Sequence, residues 1–76
     1  MNSTDIVKIL IKLGTRIKEI RNSKDITQVR LSEMCNIQKS SISKIEAGRS
    51  NITMATLNCI AAALEVNLFD FFKDAP

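Results

Sequence analysis

Histidine is absent from the 76 residues, glycine and proline together number only three, and cysteine occurs twice. Without histidine a zinc site would need carboxylates in unusual company, and Cys35 and Cys59 stand too far apart in sequence to form a Cys-x-x-Cys pair. No metal and no cofactor are therefore expected. Each cysteine lies within a helical apolar pattern, so both are expected to be reduced packing residues of a cytoplasmic protein. There is no glycine-rich phosphate loop and no activated serine or cysteine constellation, so an enzyme is not expected, nor is a small-molecule ligand implied. With so few breakers and no Val/Thr/aromatic runs bounded by turns, the fold class is all-α.

Long apolar runs are also lacking. The opening segment IVKILIKL is too short to span a bilayer and carries Lys8 and Lys12. No basic region precedes it and no small-residue cleavage site follows, so neither a signal peptide nor a membrane anchor is expected. Its alternation of lysines with aliphatics would suit a membrane surface, but a packing role is available and is the expectation. The length gives one domain, residues 1–76, without a second core. A chain of this size buries only about 60% of its unfolded surface, so a partner subunit is expected.

Charge is unevenly spread. Up to Arg49 there are ten basic and five acidic residues; from Ser50 onward Lys73 alone faces Glu65, Asp70 and Asp74. The basic side is the N-terminal two thirds, and a polyanion is the first partner to consider. A solvated surface is the plainer account of the same numbers.

Four helix starts share one spacing. With Thr27, Gln38, Thr53 and Asn67 as N-caps, an apolar residue just before each cap recurs five positions later, as Ile26 with Leu31, Ile37 with Ile42, Ile52 with Leu57 and Val66 with Phe71. This is the hydrophobic staple, which fixes the angle of entry into a helix. Thr and Asn oxygens accept from free first-turn N–H groups, and Gln38 is the weaker cap. A first helix precedes them, with Ile6, Leu10, Leu13, Ile17 and Ile20 at alternating steps of four and three. Val7 and Ile11 form a second strip that ends at Gly14; it serves either a broader buried face or a dimer contact. The expected helices are Thr4–Ser23, Gln28–Met34, Lys39–Ala47, Met54–Leu64 and Leu68–Lys73. Asn36 and Gly48 supply the left-handed residues that end the second and third.

The segment CNIQKSSISKIEAGRSNIT, Cys35 to Thr53, carries most of the functional signal. Ile42 and Ile45 share one narrow side with Gln38, Ser41 and Arg49, while Lys39, Ser40, Ser43, Lys44 and Ala47 fill the other. Two short helices, a three-residue turn and a polar second helix match the helix-turn-helix that reads DNA. A face of serines is slim enough for a groove about 12 Å wide, and lysines reach base edges or phosphates. An ordinary exposed helix usually shows both signs of charge; this outward set has no acid.

From Gly14 to Phe72 the sequence GTRIKEIRNSKDITQVRLSEMCNIQKSSISKIEAGRSNITMATLNCIAAALEVNLFDFF resembles the Cro/C1-type (XRE-like) helix-turn-helix regulators. The resemblance rests on RIKEIR, TQ..L, IS.IEAG and L..IAAAL.V taken together. It implies a five-helix lambda-repressor-like DNA-binding domain, a homodimer on a two-fold double-stranded DNA operator, and the third helix in the major groove. By the same resemblance Gln28 contacts the phosphate backbone, and Lys39, Ser40, Ser43 and Lys44 reach bases or adjacent phosphates. Arg49 and Asn51 match the loop that grips the far phosphate strand, and Arg21 and Glu46 match a partly buried structural pair. Ser32 stands where Ala is usual, Asn36 where Gly is usual, and an N-terminal extension precedes Gly14.

The short chain, with IEAGRSNIT after the third helix, is similar to restriction-modification controller proteins. Phage Cro-like repressors and DNA-binding antitoxins are the competing roles within the same family. A protein-interaction module that kept the helices but not DNA binding would bury QKSS and Arg49 against its partner. The dimer interface is expected on Leu68, Phe69 and Phe72, whose aromatics exceed what one staple needs.

Overall fold

The computed structural model describes residues 3–73, with side chains from Asp5 onward. Four α-helices are followed by one 3-10 turn: α1 Ser3–Ser23, α2 Gln28–Cys35, α3 Lys39–Glu46, α4 Met54–Ala63, and the turn Leu68–Phe72. The expectation of five helices is thus corrected. The last element is five residues long and closes with an i to i+3 bond, from Asp70 N–H to Asn67 O at 2.9 Å. Asn67 Oδ1 accepts from Phe69 N–H and Asp70 Oδ2 accepts from Asn67 N–H, which tightens the first turn at once. Lys73 is already extended, so no second turn follows in which α geometry could settle.

Helix α1 packs on α3 and on the 3-10 turn, α2 packs on α3 and α4, and α4 closes against the turn. Their shared core comprises Leu13, Ile17 and Ile20 of α1, Leu31 and Cys35 of α2, Ile42 and Ile45 of α3, Leu57, Ile60 and Ala61 of α4, then Leu64 and Phe71. The second members of all four staples, Leu31, Ile42, Leu57 and Phe71, are among the most deeply buried side chains. Their partners Ile26, Ile37, Ile52 and Val66 are half-buried against that core. Thr27 Oγ1 accepts from Arg30 N–H and Thr53 Oγ1 from Thr56 N–H, whereas Gln38 makes no side-chain cap.

Each of the four helices ends the same way. Asp25, Asn36, Gly48 and Glu65 have positive φ. In each case the following N–H reaches back five residues, Ile26 to Arg21 O, Ile37 to Ser32 O, Arg49 to Lys44 O and Val66 to Ala61 O, at 2.9–3.2 Å. These are Schellman turns. In three of them the next residue is also the first member of the following staple, so one apolar side chain both ends a helix and aims the next. Only Gly48 holds its conformation without the steric cost borne by a side chain. Relief of that cost at Glu65, less the extra backbone entropy of glycine, should make Glu65→Gly more stable by about 0.5–1 kcal/mol, read as a rise in thermal midpoint. A fall would mean that the Glu65 side chain contributes more than its backbone strain costs.

Helix α1 departs from its expected burial. Leu13, Ile17 and Ile20 are buried, but Leu10 is half-buried and Ile6 is 43% exposed, while Val7 and Ile11 are 50% and 49% exposed. A helix of 21 residues is about 31 Å long, and its first turns run past the core that the short helices can build. Cys59 is likewise exposed rather than packed, while Cys35 is buried. Burial, with the Cys59 thiol beside it, pushes the Cys35 thiol up to about 11, so it stays protonated at neutral pH.

The 3-10 turn is tied to the body by Arg16 Nε, which donates to Asp70 O at 3.2 Å. Lys73 lies 3.1 Å from the Asp70 carboxylate, and together with the Asn67 N–H it holds that carboxyl below its ordinary 3.8. Asp70 therefore contributes stability above pH 3.8 that fades as pH falls through its lower folded value.

Candidate nucleic-acid interface

Helix α3 is fixed from behind by one carboxylate. Arg21 Nε donates to Glu46 Oε2 at 2.6 Å and Arg21 Nη2 to Glu46 Oε1 at 3.1 Å, a two-pronged pair with both side chains under 10% exposed. Arg21 Nη1 also donates to Ile26 O at 2.7 Å, in the turn before α2. Gln28 Nε2 donates to Glu46 Oε1 at 2.9 Å. One acid thus joins the end of α1, the start of α2 and the end of α3. The place of Gln28 in this network has no signal in the spacing of the sequence. Its amide is oriented, since only the NH2 side can face a carboxylate, and one N–H remains to point elsewhere.

Close backbone contact fixes the other side of α3. A Cβ at Gly14 would lie 2.3 Å from Ile45 O and 2.6 Å from Glu46 O, so α1 crosses the end of α3 with no side chain between them. Ile42 and Ile45 are buried beneath the helix. Ser32, buried where α2 approaches its neighbours, satisfies its hydroxyl by donating to Val29 O at 2.6 Å.

What remains outward is the basic, small-residue face. Lys39, Ser40 and Lys44 are exposed, Ser43 is half-buried, and Arg49 and Asn51 are exposed in the loop beyond Gly48. Gln28 is half-buried at the start of α2. The uncapped N-terminus of α3 keeps Gln38 at the surface, where its Oε1 accepts from the Ser40 hydroxyl at 3.4 Å. Lys39 and Ser40 in the first turn and Ser43 and Lys44 one turn later therefore lie along one helix, whose C-terminal end meets Gln28 through Glu46 and continues into the Arg49–Asn51 loop. Glu46, the acid of α3, is turned inward onto Arg21. Leu68, Phe69 and Phe72 sit apart from this face on the 3-10 turn, half-buried, 70% exposed and 53% exposed.

The family model described as helix-turn-helix (HTH_3) matches residues 17–71. The immunity repressor protein of Bacillus phage phi105 is 39% identical over 56 residues, which is 74% of this chain and 39% of that protein. This chain therefore spans well under half of the phage repressor. Control protein C.MunI of Mycoplasma sp is 30% identical over 67 residues, covering 87% of this chain and 90% of that one. Among solved structures, the restriction-modification controller protein C.Esp1396I, as a tetramer in complex with its natural 35 base-pair operator, is similar with a TM-score of 0.77 and 38% identity. That match covers 84% of each chain.

Proposed function

Since the chain belongs to the HTH_3 helix-turn-helix family, we propose that it binds a pseudo-palindromic DNA operator as a dimer and controls a restriction-modification operon. It is a DNA-binding regulator and not an enzyme. The observation that carries this reading is the outward face of α3, where Lys39, Ser40 and Lys44 are exposed without an acid among them while Glu46 is held inward. Lys39, Ser40, Ser43 and Lys44 are assigned to base edges, where lysine and serine can donate to major-groove acceptors. Gln28, Arg49 and Asn51 are assigned to phosphates, Gln28 through the amide hydrogen that Glu46 leaves over.

The near full-length match to a control protein supports the controller role, and the operator complex of C.Esp1396I supports assembly on DNA. The match to a phage immunity repressor favours a second role, that of a phage-type repressor, with the same site. The dimer surface is assigned to the 3-10 turn. Phe69 and Phe72 are large, exposed and adjacent to Leu68, and Phe72 lines a cleft with Ile9 of α1. A cytoplasmic location follows from the proposed operator binding; none of the described helices is long and apolar enough to cross a membrane.

Selection of a binding site from random duplex DNA, followed by footprinting and light scattering, tests the proposal. The expected result is a dimer protecting two half-sites whose centres lie about 34 Å apart, one turn of duplex. A monomeric mass at micromolar concentration with a single unpaired half-site would contradict it.

A further inference from the structure

The first turns of α1 have no role in the core, yet they lie against the loop that leaves α3. Gly48 has φ 75°, and a Cβ there would come within 2.7 Å of Ile11 Cα, 2.8 Å of Ile11 Cγ1 and 2.9 Å of Ile11 N. The backbone of the loop therefore touches the backbone of α1 directly. Hydrogen bonds from Gly48 N–H to Ile45 O and from Arg49 N–H to Lys44 O tie the start of the loop to α3. Beyond that point Gly48, Arg49, Ser50 and Asn51 form one wall of an open groove of about 420 Å³, and Ile6, Val7 and Leu10 form the other. Leu10 is the half-buried member of that second wall.

We propose that this end of α1 is a buttress for the loop at residues 48–51, with Leu10 and Gly48 as positioning residues that hold Arg49 and Asn51 toward the phosphate strand. The proposal rests on the phosphate role assigned to that loop above. A phosphate contact is worth its electrostatic gain less the entropy of ordering the group that makes it. A backbone already fixed on both sides, by α3 and by α1, lowers that second quantity. The extension thereby gains a use: both the backbone and the side chain of Ile11 meet Gly48, and Leu10 lines the groove beside the loop.

The test measures affinity for random duplex DNA at several salt concentrations for the full chain and for Leu10→Ala, Leu10→Met, Arg49→Ala and the Leu10→Ala/Arg49→Ala double variant, each shown to be folded by circular dichroism. Arg49→Ala is expected to lose about tenfold, the worth of one charge-assisted hydrogen bond. Leu10→Ala is expected to lose several-fold in the presence of Arg49 and nothing further in its absence, while Leu10→Met binds like the parent. Gly48→Ala should repeat the pattern. Equal losses from Leu10→Ala in both backgrounds would make its role merely structural and overturn the proposal. So would unchanged binding by Leu10→Ala when Arg49→Ala is weakened. If Arg49→Ala itself binds unchanged, the phosphate assignment fails and the buttress falls with it.

Discussion

Glu46→Ala is expected to lower stability by about 3–5 kcal/mol, because it strands the Arg21 guanidinium without its partner in a site less than a tenth exposed. For a domain of this size each kcal/mol moves the thermal midpoint by roughly 4–8 °C. Against a total stability of about 5–15 kcal/mol, that loss is a large share of what holds the fold together. Arg21→Ala should behave similarly, since it leaves the carboxylate with only the Gln28 amide. Replacing both removes two buried charges at once and should cost clearly less than the two single losses together. The measurement is a double-mutant cycle by chemical denaturation, and additive losses would sink the idea that the pair acts as a unit.

Gly14→Ala is expected to destabilise the fold although alanine is the better helix former. Propensity favours the change by about 1 kcal/mol. Against it stand Ile45 O at 2.3 Å and Glu46 O at 2.6 Å from the new methyl group, both backbone atoms that no rotamer change can move. Overpacking of this kind costs about 1–3 kcal/mol or more, so the steric effect wins. Helices α1 and α3 must separate, and the outward face of α3 moves relative to the Arg49 loop. The variant should therefore lose DNA affinity while still folded, as thermal unfolding and a DNA titration on one sample would show. An increase in thermal midpoint would refute the close crossing.

Much of this fold can be read from the staple spacing. A cap and two apolar residues at fixed offsets specify where a helix begins and which side chain enters the core, and helix ends follow within about a turn. The last element shows where that logic stops. Leu68, Phe69, Phe71 and Phe72 satisfy an α-helix or a 3-10 turn equally well over five residues, and the hydrogen bonds at Asn67 and Asp70 decide between them. Glu65 holds a left-handed conformation that its residue type does not announce. The regular pattern of α1 continues through Ile6, yet periodicity says which residues share a face and not whether anything lies opposite. On the site, residue type and spacing pointed to the outward face of α3, whereas the link from Gln28 to Glu46 joins residues 18 positions apart and exists only once three helices meet.

The central claim is that α3 reads base edges while its flanks hold phosphates, and competition titration of Lys39→Ala against the selected operator and random duplex tests it most directly. The predicted result is a loss of roughly 1–3 kcal/mol on operator and far less on random DNA. Arg49→Ala, by contrast, should weaken both alike and reduce the salt slope by about one unit. Equal losses for Lys39→Ala on the two DNAs would make Lys39 a phosphate contact and contradict direct readout by α3.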